Sequence, residues 1–552
     1  MAAMKWWGWG AEGVEFTHAD KPALRPFIEE VLGVDVGRPT VAPIRWDELT
    51  ISDPTLPDGL RAALEAAVTE AFVSVDRLDR VVHARGKSLR DLVRQRRGDL
   101  GRVPDVVVRP GSEEEVTGVL NAALAGDAVV IPFGGGSSIS GSLEAPAGEL
   151  RPVISVDLAR MDKVIAIDGM SRLARVQAGV LGPHLEEQLG PQGYTFGHFP
   201  DSFTYSTLGG WIATRSSGMQ SDRYGDIADL TRGLRVVTPS GTLVTRPLPA
   251  TSTGPSIREM VLGSEGRLGV ITEATVHVRL IPERRQILGY LFPTFGDGLA
   301  AMRDIAAAEC SVSVTRISDA NETRFSFAMR TRPTLLDKLQ SKALTTYLQR
   351  RRGFDLSQMC LSFLGYEGGE GHVGQQRKAA GKIVRRHGGV CIGSGPGALY
   401  DQKKFDTPYI RDFLLDRGVA ADVSETSMPW SRLTPVYDAV NAAGYGAFGA
   451  LGVRGYLMCH LSHSYHAGAC LYFTFAFEPS PGADMIVEYD VVKSAIQQAF
   501  VDHGATLSHH HAVGTEHARW LEQDISPPGV AMLRALFDGT DPGRHLNPGK
   551  IV

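Results

Sequence analysis

The sequence predicts an α+β protein of two or three domains, and three observations carry that prediction. The chain has 552 residues, more than one hydrophobic core organises. Residues 99–280 read as short β-rich runs (VVVRP, AVVIPFGGG, RPVISVDL) broken by glycine turns, with a helical stretch, VTGVLNAALAG at 116–126, between the first two. Residues 281–500 mix longer helices with strands such as YLFPTF, MCLSFLGYEG and GACLYFTFAFEP. A helical N-terminal region, 1–98, precedes them; in it PDGLRAALEAAVTEAF (57–72) follows a proline and repeats apolar residues at helical spacing. A helical region, 501–552, follows them. No internal repeat or low-complexity linker separates these parts, so the domains are expected to pack tightly.

A net charge of −5 excludes nucleic acid as the main partner, because neutralising phosphates needs a basic surface. Five scattered cysteines with no CxxC pair read as reduced thiols and not as a disulfide framework. MAAMKWWGWGAEG lacks the apolar core of a signal peptide, and no run approaches the roughly 18 apolar residues that cross a bilayer. The ending KIV is no peroxisomal address. The expectation is a cytoplasmic protein that can still touch a membrane surface. One segment bears on this. In 330–353, Pro333 stands at a helix start, Leu335, Leu336, Leu339, Leu344, Tyr347 and Leu348 recur at helical spacing, and basic residues flank them. Such a helix either lies on an anionic membrane or packs on its own domain with its basic face in solvent.

The strongest local signal is PFGGGSSISGS at 132–142. Consecutive glycines let backbone N–H groups surround an anion such as a pyrophosphate. Neither common nucleotide motif fits: Ile139 fills the last slot of a GxGxxG fingerprint, and no lysine follows Gly141 as a phosphate-binding P-loop requires. By itself the triple glycine is equally a tight turn. Two further stretches accompany it, DSFTYSTLGGWIATRSSGMQSDRYGDIADL (201–230) and VLGSEGRLGVITEATVHV (261–278). In this order and at these separations, the three resemble the FAD-binding domain of the vanillyl-alcohol-oxidase (PCMH-type) flavoproteins. The resemblance implies a two-subdomain FAD-binding domain over 99–280, an α+β cap domain for substrate over 281–500, and a helical C-terminal region packing on the flavin site. It also implies that Pro132, Phe133, Gly134, Gly135, Gly136, Ser137 and Ser138 cradle the FAD pyrophosphate. Pro200, Asp201, Ser202, Phe203, Thr204, Tyr205 and Ser206 would contact the rest of the cofactor. So would Thr214, Arg215, Ser216 and Ser217, together with Glu265, Gly266, Arg267, Leu268, Gly269, Val270 and Ile271. Members with covalent flavin often carry a histidine beside the glycine loop; none lies in 133–141, so non-covalent FAD is expected.

SHHHAVG, at 508–514, places three of the sixteen histidines in a row. Metal ligation, proton handling and a histidine-rich strand are the readings open to it; on a strand His509 and His511 would share a face. The sequence offers no carboxylate or cysteine at ligand spacing, so no metal is expected there, nor at His460, His463 and His466. Hydroxy-acid dehydrogenases of the flavin family usually read Glu-His-Gly-Ile-Gly in this place. A histidine triplet, with MKWWGWG (4–10), HFPDSFTYSTLGGWIATRSSGM (198–219), PYIRDF (408–413) and AGACLYFTFAF (467–477), is instead similar to the alkyldihydroxyacetonephosphate synthase family of ether-lipid formation. That resemblance covers essentially the whole chain. It implies exchange of the acyl chain of acyl-dihydroxyacetone phosphate for a long-chain fatty alcohol, through a covalent flavin N5 adduct without net redox change, by a homodimer. The alternative is an FAD-dependent D-2-hydroxy-acid dehydrogenase. The same resemblance makes Tyr472 the general acid/base, with His509, His510 and His511 beside the isoalloxazine. It makes Arg411 the phosphate ligand and puts Arg316 near the flavin. His466 departs from the family, which carries an acidic residue there.

Overall fold

The structure, a computed structural model, describes residues 4–331 and 335–552, apart from the side chains of 335–341 and 403. The α+β expectation is met by three main sheets. The first has strand order Val73–Ser74, Val106–Val108, Val153–Asp157, Val129–Phe133, and its last three strands run parallel. Val106–Val108 and Val153–Asp157 are apolar or buried at every position because the sheet is covered on both faces. Val73–Ser74 comes from the segment expected to form a separate N-terminal region, so the sheet crosses the expected limit at 98. Val129–Phe133 runs straight into the glycine loop, which places that loop at the carboxyl end of a buried strand.

The second sheet is antiparallel, in the order Val164–Asp168, Leu173–Gln177, Val270–His277, Thr231–Thr238, Gly241–Val244. It shares one apolar core with the first. The third has seven antiparallel strands: Val390–Gly393, Arg284–Phe292, Cys360–Gly368, Val314–Ser318, Gly455–Ser464, Gly468–Phe477 and Ala420–Pro429, in that order. The period of two decides what each face carries. Along Gly455–Ser464, Leu457, Cys459 and Leu461 enter the core while Tyr456, Met458 and His460 turn to the cavity. Along Gly468–Phe477, Phe473 packs on Phe500 and Phe477 on Phe448, so Tyr472, Thr474 and Ala476 turn the other way.

Residues 505–517 correct two expectations. They form an irregular loop, neither the strand nor the helix considered for them; the helix follows at Leu521–Thr540. The chain then returns to the first sheet, where Leu546 bridges to Val130. In the basic segment, Leu335–Arg352 is helical, Leu348 is buried among Phe354 and Phe363, and Leu344 lines the cavity. Arg350, Arg351 and Arg352 are exposed. Pro333 and the side chains of Leu335, Leu336 and Leu339 lie outside the described residues.

Candidate active site

One cavity of about 1750 Å³ separates the glycine loop from the seven-stranded sheet. Pockets for a single drug-sized ligand reach about 1000 Å³, so this one has room for a cofactor and a second molecule. Its first wall is backbone and small side chains: Pro132 to Ser138, Pro200 to Ser202, Ser206, Thr214, Ser216, Ser217, Glu265, Gly266, Gly269 and Ile271. Gly135 shows why the loop must be glycine. A Cβ there would sit 1.8 Å from the Tyr205 carbonyl oxygen, so the loop lies directly on the 203–206 segment. Gly135→Ala is expected to displace the loop and weaken FAD binding about tenfold or more, roughly 1.4 kcal/mol, with secondary structure retained. Flavin absorbance per mole of folded protein measures this; wild-type flavin content would contradict it.

Seven residues expected at the cofactor do not reach the cavity, which corrects that assignment. Phe203 stacks on Trp211, 6.3 Å between centroids, inside the core. The Tyr205 hydroxyl accepts the Ala11 N–H at 3.1 Å, and Arg215 pairs with Glu259 at 3.1 Å. Arg267 donates to the Lys550 carbonyl, while Thr204, Leu268 and Val270 also stand outside the lining. His83 lies 4.1 Å from the Phe133 ring, centroid to centroid, yet it is held by Asp79 and Asp157 and does not line the cavity.

The opposite wall brings together residues from strands of the seven-stranded sheet, two helices and the 505–517 loop. Tyr472 is sandwiched by His460 (4.9 Å, 20° between planes) and His510 (5.9 Å, 17°), with His511 edge-on at 5.6 Å. Burial, followed by the carboxylates of Asp201 and Glu425, holds its phenol well above the ordinary tyrosine range, so it stays protonated. Arg316, at the middle of its strand, donates to Glu322 Oε1 at 2.5 Å and meets His460 Nδ1 at 3.2 Å. His460 in turn lies 2.9 Å from Glu322 Oε2. Burial lowers the His460 pKa to about 4, so it is neutral and Arg316 is the cation of the trio. Arg411, on Pro408–Leu415, lines the cavity and its Nε has no hydrogen-bond partner.

Sequence reasoning missed what fixes two of these groups. Next to Arg411, Asp412 accepts the Trp9 N–H at 2.7 Å and stands 3.6 Å from Lys5 Nζ. The KWWGWG segment therefore straps the arginine helix, and Trp9 itself lines the cavity. Gly8 permits the approach, since a Cβ there would meet the Asp412 carboxylate at 2.4 Å.

The histidine triplet hangs from one buried carboxylate. Glu425 accepts the backbone N–H of His509 (2.6 Å), His510 (3.1 Å) and His511 (3.1 Å), and the Ser508 hydroxyl at 2.7 Å. Burial alone raises a carboxyl, but the histidines and Ser508 more than offset this, and Glu425 lies well below the carboxylate range. Burial lowers His510 and His511, and His509 to about 4. Only His510 and His511 face the cavity; His509 turns away and its Nε2 meets the Tyr465 hydroxyl at 2.5 Å.

The sequence offers no carboxylate or cysteine at ligand spacing from the triplet, but the fold brings both there. Ligand atoms of Glu425, Cys470, His509 and His510 all lie within 4.8 Å of one another. Both oxygens of this carboxylate already accept protein donors, and burial keeps the Cys470 thiol protonated. Metal analysis is therefore expected to find no stoichiometric zinc. One full equivalent, lost in Cys470→Ser, would reverse that reading.

The geometry is a dinucleotide cradle facing an arginine-, tyrosine- and histidine-bearing sheet. Residues 104–246 match the FAD binding domain family, and 281–551 match the C-terminal domain of FAD linked oxidases. Alkyldihydroxyacetonephosphate synthase of Dictyostelium discoideum is 36% identical over all of this chain and 93% of its own length. The chain belongs to the alkyldihydroxyacetonephosphate synthase family. The Trypanosoma brucei brucei synthase is 33% identical over all of this chain and 92% of its own length. A solved alkyldihydroxyacetonephosphate synthase superposes with a TM-score of 0.86 at 34% identity, covering 99% of this chain and 98% of that one. This synthase-family member is thus an FAD enzyme of ether-lipid synthesis, with a PCMH-type FAD-binding domain and a cap. The glycine cradle, bare of side chains where the loops cross, fits that cofactor. Among the described residues no helix is long and apolar enough to cross a membrane.

Proposed function

We propose that the protein exchanges the acyl chain of 1-acyl-dihydroxyacetone phosphate for a long-chain fatty alcohol, releasing 1-alkyl-dihydroxyacetone phosphate and a fatty acid. One observation carries this reading. The cavity that holds the glycine loop, Arg411 and Tyr472 continues into an apolar arm lined by Leu24, Phe27, Ile28, Phe325, Phe413 and Leu414, which form a single hydrophobic cluster. A lactate-sized acid has no use for such an arm, whereas an alkyl chain gains about 0.8 kcal/mol per buried methylene there.

The residues divide the work. Phe133 to Ser138 would hold the FAD pyrophosphate through backbone N–H groups, with Pro132 beside them, and Ser216 and Ser217 lie along the same wall. When bound, FAD would supply a nucleophilic ring nitrogen for covalent catalysis without net redox change. Arg411, whose Nε lacks a partner, takes the phosphate. Arg316, held by Glu322, keeps one fixed positive charge beside the reacting carbon. Tyr472, between two imidazoles, is the proton-transferring group at that carbon, and His510 and His511 are neutral acceptors poised over Glu425.

Incubation of the FAD-loaded protein with palmitoyl-dihydroxyacetone phosphate and labelled hexadecanol is expected to give labelled alkyl product and one equivalent of palmitate. Absence of that product, with bleaching of the flavin by D-lactate, would favour the hydroxy-acid dehydrogenase reading instead.

A further inference from the structure

The histidine loop has a second side, turned away from the cavity. His510 lines the cavity, whereas His509 and Tyr465 do not. His509 Nδ1 meets His510 Nδ1 at 2.9 Å, and His509 Nε2 meets the Tyr465 hydroxyl at 2.5 Å. Tyr465 opens the turn between Gly455–Ser464 and Gly468–Phe477; it is 36% exposed, and His466 and Ala467 after it are exposed too. A row of hydrogen bonds thus joins a cavity-facing imidazole to a surface turn. Its members are fixed in place. Glu425 accepts the backbone N–H groups of all three histidines, and the His463 ring stacks on His509 at 5.3 Å. The Tyr465 N–H donates to the Gly468 carbonyl at 2.8 Å, and the Tyr465 carbonyl accepts the Trp430 indole N–H at 3.1 Å.

Anchoring the loop does not need the two side-chain bonds, because its backbone already hangs from Glu425. What they add is a path. A neutral imidazole has one N–H and one bare nitrogen, so it accepts on one side and donates on the other. The row is complete in either direction, and shifting from one direction to the other moves a proton from end to end. Burial lowers the His509 pKa to about 4 and puts His510 well below the ordinary histidine value, so both rest neutral and neither traps a proton. His511 leads the other way. Its Nδ1 lies 3.3 Å from Glu425, whose carboxyl stays ionised because the histidines more than offset its burial. We propose that His510, His509 and Tyr465 form a proton exit, carrying the proton freed in the cavity to solvent at the 465–467 turn.

The inference rests on the alkyl-exchange reading, whose stoichiometry frees one proton per turnover. The alcohol O–H bond breaks, and the oxygen's electron pair forms the new C–O bond to the headgroup carbon. The acyl group departs as a carboxylate, taking the electron pair of its own C–O bond to that carbon. The freed proton enters His510 at Nε2. The His510 Nδ1 proton passes to His509 Nδ1, the His509 Nε2 proton to the Tyr465 oxygen, and the Tyr465 hydroxyl proton to water. When product leaves and water refills the cavity, the same steps in reverse restore the starting tautomers, and the proton stays in solution. A filled cavity offers no comparable route: the cofactor covers the glycine wall, and an alkyl chain fills the arm lined by Phe27, Phe325 and Leu414. A proton does not cross such an apolar passage unaided.

Tyr465→Phe keeps the ring and removes the last oxygen of the row. In the holoenzyme, kcat with hexadecanol is expected to fall about tenfold or more, with FAD content and the KM for acyl-dihydroxyacetone phosphate within about threefold of wild type. Tyr465→Ala opens a gap beside His509. Imidazole, added as a mobile proton carrier, should restore much of its kcat and leave wild-type kcat unchanged. A Tyr465→Phe kcat within about threefold of wild type would overturn the exit. So would a loss in Tyr465→Ala that imidazole does not relieve, since a structural role gains nothing from a proton carrier. If Tyr465→Ala does not hold FAD, Tyr465→Phe decides: its solvent deuterium effect on kcat should exceed that of wild type, and an equal effect overturns the exit. A second measurement needs no turnover. In substrate-free holoenzyme, nitrogen-15 shifts of the His509 ring should report a mixture of tautomers, and Tyr465→Phe should change that mixture. Wild type that forms no ether overturns the exchange reading and with it the exit's cargo; His509 shifts unmoved by Tyr465→Phe overturn the exit alone.

Discussion

Tyr472→Phe is expected to lower alkyl exchange by about 10²–10⁴-fold while the protein keeps its FAD, the range that separates catalysis with and without a positioned proton donor. The change removes one oxygen and leaves the ring. The ring is what His460 and His510 stack on, at 4.9 and 5.9 Å, so the sandwich and the loop beneath it survive. The hydroxyl, by contrast, makes no hydrogen bond among the described residues, and Tyr472 lines the cavity. Initial rates and flavin content measured on the same preparation check this. Turnover within a few-fold of wild type would remove Tyr472 from its role.

Arg411→Met should raise the KM for acyl-dihydroxyacetone phosphate about 10–100-fold, with a smaller effect on kcat. A hydrogen bond to a charged group contributes about 1.5–3 kcal/mol, and the phosphate stays bound through substrate and product alike. Methionine keeps the packing of the side-chain stem, so the helix strapped by Trp9 and Lys5 through Asp412 stays in place. A KM equal to wild type would mean that the phosphate sits elsewhere in the cavity, Lys404 being a buried cation on its lining.

Parts of this site were legible in the sequence and parts were not, for physical reasons. The glycine loop was legible because only glycine tolerates the contact of Gly135 with the Tyr205 carbonyl, so the residue type records the geometry. GACLYFTFAFEP was legible as a strand, and the period of two places Tyr472 on the cavity face. The histidine triplet was not legible. Its conformation comes from Glu425, more than eighty residues earlier in the chain, whose carboxylate gathers three successive N–H groups into a loop without periodicity. Asp412 and Trp9, 403 residues apart, leave no local trace either. The cofactor segments were drawn as unbroken runs, but strands and turns alternate their faces. Arg215, Arg267 and Val270 therefore point away from a cavity that Thr214, Gly266 and Ile271 line.

The central claim is that the alcohol oxygen displaces a whole carboxylate at the headgroup carbon. Hexadecanol labelled with oxygen-18 in its hydroxyl, incubated with holoenzyme and unlabelled palmitoyl-dihydroxyacetone phosphate, tests it by mass spectrometry of both products. The account predicts full oxygen-18 in the ether bridge of the alkyl product and none in the released palmitate. Label recovered in a palmitate ester of hexadecanol, with an unlabelled headgroup oxygen, would show attack at the acyl carbon and contradict the account.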